Sequence, residues 1–229
     1  MAENSNEHLD ALVDKKLVRL WLYWGLFWLM FTPSVGVTIS SYFNFPGYLG
    51  NSLEVQFGRL RPMHVNGVIF GAFSTLFMGL SYYIVPRLTG VRMWQEKIGH
   101  LLMWVWNIGL VIGMVSLLIG YNQGLEAGEF PVLVDAIFFV VVSIATLQFI
   151  MTIAKRTEPQ LFVSLWYLVA AFVWTVLNLI MGSFILPYYI TGINSAAFHG
   201  LFIHYIVGLW ITPAGYVLIY YFLPASIKN

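Results

Sequence analysis

Residues 59–70 read RLRPMHVNGVIF: two arginines and a proline, then a lone histidine, then an apolar run that carries no Asp, Glu, Lys or Arg until Arg87. At ~1.5 Å per residue, about 20 such residues cross the ~30 Å hydrocarbon layer of a bilayer as a helix. The stretch therefore reads as the entry of a membrane span drawn over 60–86. A histidine just inside a span is costly to place there and is a functional-site hypothesis by default.

Five further apolar runs extend the reading along the chain, over 17–42, 97–121, 131–154, 161–187 and 196–223. Between the six lie NFPGYLGN, RLTGVRMWQEK, NQGLEAGEF, KRTEPQ and TGIN, all short and rich in turn chemistry. The expectation is an all-α polytopic membrane protein, with a polar cytoplasmic tail over 1–16 and one six-helix transmembrane domain over 17–229. Composition agrees. The chain is 59% hydrophobic and 9% charged, against about 25% charged for a soluble domain. A net charge of +1 argues against a nucleic-acid partner. Without cysteine there are no disulfides or thiolate metal sites on this chain. The first fourteen residues have neither the apolar core nor the cleavage site of a signal peptide.

Lysine and arginine orient the spans. Lys15, Lys16, Arg19, Arg87, Arg92, Lys97, Lys155, Arg156 and Lys228 fall on one side, and only Arg59 and Arg61 on the other. Nine against two places both termini in the cytoplasm. Arg59 and Arg61 then stand where the rule disfavours them, with either an anionic partner or no partner at all.

Four histidines lie in or beside spans. His64 sits one turn below the two arginines, with the small residues Gly67, Gly71 and Ala72 further down, which leaves room for a planar macrocycle. It is either an axial ligand to haem iron, with Arg59 and Arg61 at the height of the propionates, or a buried histidine bonded to a backbone carbonyl. His204 lies eight residues into the sixth span, ~12 Å deep, ahead of a Thr212-Pro213 pair that can loosen the helix. One histidine cannot hold a metal alone. His199, five residues earlier, is about 140° round the helix and shares no metal with it; it reads as interfacial, and His100 as a hydrogen-bonded core or interface residue. His8 lies in the tail. Asp135, at the outer start of the fourth span, suits a helix cap. Glu126 and Glu129, three apart in a short outer loop, suit a hard cation such as calcium if further oxygens converge.

Taken together, GRLRPMHVNGVIFG, YYIVPRLTG, GLEAGEFP and IHYIVGLWITPAGYVLIYYFLP resemble the catalytic subunit of haem–copper oxygen reductases. The nearest branch is the cbb3-type cytochrome c oxidases, with nitric oxide reductases close by. The resemblance runs from about residue 20 to the end. It implies that His64 is an axial ligand of low-spin haem b and that Arg59 and Arg61 meet its propionates. It further implies calcium at Glu126 and Glu129, in a loop shorter than usual, and His204 as a ligand of the active-site copper. The usual Trp-Trp-Tyr-Gly lead-in to that histidine is replaced here by Leu201, Phe202 and Ile203.

The family subunit has about twice as many spans. The expectation is thus the N-terminal half of a twelve-helix bundle, completed by a second catalytic half or C-terminal chain that supplies the remaining ligands of the copper and of a high-spin haem b. Membrane-anchored c-type cytochrome subunits would bring electrons and oxygen would be the substrate, in the bacterial inner membrane with proton pumping. A nitric oxide reductase needs glutamates near the sixth-span histidine, and no carboxylate occurs over 194–229. A non-catalytic haem-binding or assembly protein is the reading from a different class.

Overall fold

The computed structural model describes residues 2–50 and 52–227; Met1, Asn51, Lys228 and Asn229, and with them the terminal cation counted above, lie outside the described residues. No strand occurs among those described. Six helices are long and apolar enough to cross a membrane: Lys15–Ser41, Phe57–Thr89, Glu96–Ile119, Val132–Ala154, Val163–Tyr189 and Gly192–Ile227, hereafter the first to sixth spans. A short helix, Ala2–Ala11, precedes them. This is a multi-pass, all-helical membrane protein.

Local chemistry sets the helix ends. Asp14 caps the first span, accepting hydrogen bonds from the backbone N–H groups of Lys16 and Leu17 at 3.0 Å each. The third span stops at Gly120, whose φ of 85° suits glycine. There Gly120 N bonds Leu117 O and Tyr121 N bonds Ser116 O, which satisfies two carbonyls that have no helical partner.

The first and second spans pack antiparallel along a seam of small residues. Gly67 faces Thr32, Gly71 faces Trp28, and Gly79 faces Trp21, where an added Cβ would lie 2.8 Å from the Trp21 Cβ. Small residues let helix backbones approach where water supplies no driving force between helices. This corrects the reading of Gly67, Gly71 and Ala72 as space for a macrocycle. Thr32 and Trp28 fill the two glycine positions, and Ala72 is buried.

The aromatic core draws on all six spans, with Trp21 stacked on Tyr82 at 6.1 Å, Trp106 obliquely on Phe138 at 4.4 Å and Phe77 on Phe172 at 5.7 Å. Three spans contain a wide π-helical segment: Gly67–Ser74, Ile180–Ile185 and Ile206–Ile211. Such turns are rare and recur at functional sites. Two of them begin directly after the histidines singled out above, three residues beyond His64 and two beyond His204. At the sixth-span segment Thr212 Oγ1 bonds Val207 O at 2.9 Å and Pro213 has no N–H to offer, so the expected loosening there is present.

Candidate functional site

His64 is half-buried near the N-terminal end of the second span. Its Nδ1 lies 2.9 Å from the carbonyl of Thr32 on the first span. A carbonyl only accepts, so Nδ1 carries the proton and the lone pair of the neutral ring sits on Nε2. A histidine ligand held in this way has its tautomer and ring orientation set before any metal arrives. The two readings of His64 are therefore compatible: the carbonyl bond uses one nitrogen and leaves the other. Gly36 lies against the ring, where an added Cβ would fall 2.7 Å from Cε1.

Beside the ring opens a cleft of about 490 Å³ between the first two spans, lined by His64, Arg61, Pro33, Gly36, Phe43 and Phe57 among others. It is apolar along its walls, with the arginine at one edge. A ring nitrogen with a free lone pair, a cleft beside it and a cation on the rim fit a planar cofactor bearing carboxylates.

The two arginines diverge. Arg59 donates to Leu118 O at 2.9 Å and its guanidinium covers Gly120. A cation there faces the negative end of the third span's dipole. Arg61 instead lines the cleft and turns its guanidinium to the loop after the third span. It pairs with Glu126, and its Nη1 lies 3.9 Å from Glu129 Oε1. Glu129 is buried, and Asn66 Nδ2 donates to its Oε2 at 2.6 Å. Burial raises the Glu129 carboxyl above its ordinary range, with the Asn66 bond and the Arg61 charge pulling the other way.

The two glutamates thus converge on an arginine. Among the described residues no three His, Cys, Asp or Glu side chains come together as a metal cage. As arranged, the cation at these carboxylates is the Arg61 guanidinium, which pairs with one Glu126 oxygen and lies near Glu129, while Asn66 holds the other Glu129 oxygen. Asn66 and Thr32 are the members of this site that motif reading left without a role. Asn66 had a signal, a polar side chain two residues after His64 in RPMHVN. Thr32 acts through its main chain, which side-chain identity does not report.

His204 is the contrary case. Gly192 begins its helix, so the histidine lies twelve residues along, ~18 Å from the helix start, rather than the eight residues expected. Its side chain is exposed on the surface of the six-helix unit, and among the described residues it has only an oblique ring contact with Tyr205, at 6.4 Å. Two residues earlier, Asn178 of the fifth span donates to Phe202 O at 3.2 Å. His199 is half-buried beside Gln123 and Pro187, near the loops after the third and fifth spans. His100 is hydrogen-bonded as expected, its Nε2 2.6 Å from Asp14 Oδ2. Asp135 lies in the first turn of the fourth span, at the positive end of its dipole as expected, but Pro131 holds the cap position and the carboxylate accepts from Gln123 Nε2 at 2.9 Å.

The family model for cytochrome c and quinol oxidase polypeptide I matches residues 16–229, all six spans. The chain belongs to this family. Among its relatives, a cytochrome c oxidase subunit 1 homolog of Agrobacterium tumefaciens (strain T37) is 28% identical, aligned over 97% of this chain and 42% of that protein. A cytochrome c oxidase subunit 1 of Rhodobacter capsulatus is 26% identical over 99% and 44% of the two lengths. A cbb3-type cytochrome c oxidase subunit CcoN1 of Stutzerimonas stutzeri is 27% identical over 98% and 49%. The chain spans less than half the length of each of these oxidase relatives. Haem and copper are the cofactors that membership of the family implies.

Proposed function

We propose that this chain carries the first six spans of a cbb3-type oxygen-reductase catalytic core in the bacterial inner membrane, with both termini on the cytoplasmic side. The observation that carries the reading is the His64 imidazole, fixed by Thr32 O with Nε2 free beside a cleft that has a cation on its rim.

His64 holds low-spin haem b through Nε2, and the Nδ1–H bond to Thr32 keeps that nitrogen unprotonated and its ring aimed. Arg61 meets the anionic carboxylates at the outer rim, exchanging one carboxylate partner, Glu126, for another. Arg59 stays on the third span's C-terminus and adds positive potential there. His204 offers its imidazole outward as one copper ligand. Imidazole is a suitable copper donor, but a stable site needs about two more, so polypeptide outside these 229 residues supplies them together with the high-spin haem b. Whether that segment is a separate chain or a continuation, it covers the face on which His204 is exposed. When bound, haem and copper supply the electron transfer and oxygen reduction; this chain positions them and excludes water. A haem held at His64 would take electrons from a membrane-anchored c-type cytochrome, and proton pumping would accompany turnover of the full core. The absence of a carboxylate over 194–229 favours oxygen over nitric oxide as substrate.

Purification with native partners, haem and metal counts, and an oxygen-uptake assay test this. Two haems b, one copper and oxygen consumption are expected. A complex that lacks copper and does not consume oxygen removes the reading.

A further inference from the structure

The wide segment after His64 leaves carbonyls that an α-helix would have used, and at membrane depth these need partners. Ser74 Oγ donates back to Ile69 O at 2.7 Å, and Thr75 Oγ1 to Phe70 O at 3.3 Å, each five residues earlier. Both hydroxyls then receive an indole N–H from another span. Trp210 Nε1 donates to Ser74 Oγ at 2.8 Å, and Trp106 Nε1 to Thr75 Oγ1 at 3.0 Å. All four side chains are buried.

The two relays have the same chemistry but different destinations. Trp106 belongs to the third span, which carries none of the proposed ligands. Trp210 lies inside the wide segment that follows His204, and its ring stands edge-on to Phe77 at 5.0 Å and to Phe172 at 5.1 Å. It is thus held by the second and fifth spans as well as hydrogen-bonded to Ser74. A one-residue change of register in either wide segment would turn the histidine beside it. The Trp210–Ser74 bond joins them at one point.

We infer that Trp210 and Ser74 are a positioning pair that locks the two wide segments together and so sets His204 relative to His64. The inference rests on the reading of those histidines as copper and haem ligands. Neither residue touches a cofactor; each acts through the helix it holds.

The test compares the two relays in the complex purified with its partners. Trp210→Phe and Ser74→Ala each remove the ligand-linking bond, while Trp106→Phe and Thr75→Ala remove its counterpart. Electron redistribution between the haems is followed by absorbance after flash photolysis of carbon monoxide from the partly reduced complex, alongside haem counts, copper counts and thermal melts. Misplacing a reacting group by ~1 Å can cost ~100-fold in a bond-making step; electron transfer depends on distance more gently, so a partial loosening should change the rate by about threefold. That change is expected for Trp210→Phe and Ser74→Ala with haem and copper still bound. The double variant should do no more than the larger single one, as two ends of one bond do. Trp106→Phe and Thr75→Ala should lower the melting temperature similarly and leave the rate unchanged.

Equal rates across all four variants overturn the proposal, as does a Trp210→Phe effect that Ser74→Ala does not share. If Trp210→Phe fails to assemble, Ser74→Ala against Thr75→Ala decides. An unmutated complex without low-spin haem or copper sinks the parent reading and this one together. A full cofactor complement with unmoved rates sinks this one alone.

Discussion

His64 and His204 are the same side chain in the same kind of helix, each just ahead of a wide turn, yet their surroundings differ. His64 is half-buried, bonded through Nδ1 to Thr32 O, and bordered by a cleft with Arg61 on its edge. His204 is exposed on the bundle surface, and its only described ring contact is with its neighbour Tyr205. The difference shows how far each site is built within these residues. The first comes with its tautomer chosen and one wall in place, whereas the second presents a single donor and depends on what covers it.

The strongest way to break the comparison is to remove each ring in turn from the assembled complex. His64→Ala should abolish the low-spin haem signal in the reduced-minus-oxidised spectrum. His204→Ala should lose copper and oxygen uptake while that signal stays. The unpartnered chain should bind no copper tightly, because it offers one ligand. Copper retained in His204→Ala would make the histidine an ordinary buried residue of the complex.

Glycine substitutions sharpen the contrast. A Cβ at Gly36 meets the His64 ring at 2.7 Å, while one at Gly208 lies 3.7 Å from His204 Nε2, an ordinary contact. Overpacking costs ~1–3 kcal/mol, so Gly36→Ala should lower haem affinity by about tenfold. Gly208→Ala should leave copper content unchanged. Equal effects would mean that the His64 pocket relaxes as freely as an open surface.

The loop after the third span tests whether the His64 side is electrostatically closed. Glu129 has its carboxyl raised from 4.5, first by burial. The folded chain therefore holds that proton where the unfolded chain has lost it, and stability falls as pH rises from about 4.5 through the raised value. Glu129→Gln keeps an acceptor for Asn66 and should flatten this dependence in thermal melts of the complex between about pH 4 and 8. An unchanged slope would assign the pH dependence elsewhere.

The smallest effect belongs to Glu126. Its pair with Arg61 leaves the two side chains 54% and 42% exposed, and exposed pairs contribute roughly 0–1 kcal/mol. Glu126→Gln should shift the melt by no more than that. Calcium counts on the same samples should not fall in the Glu126→Gln, Glu129→Gln double variant. A loss of bound calcium there would mean that Arg61 releases both carboxylates in the assembled complex and that the resemblance was the better guide.

Hydropathy and charge alone determined the six spans, because each is a local run whose cost in water or lipid depends on its own residues. The first span, expected over 17–42, runs Lys15–Ser41; the fourth, expected over 131–154, runs Val132–Ala154. The motif around His64 also carried the family, since it is contiguous in the chain. What only the tertiary structure decided is which groups meet across long separations. Thr32 reaches His64 over 32 residues, Glu126 reaches Arg61 over 65, and Trp210 reaches Ser74 over 136. Arg59 and Arg61 look alike in RLRP, but on a helix neighbours two apart point about 200° apart. One therefore caps the third span and the other edges the cleft. Gly67 and Gly71 read as open space in one dimension and as a seam in three, because a glycine's vacancy is defined by the helix that packs into it.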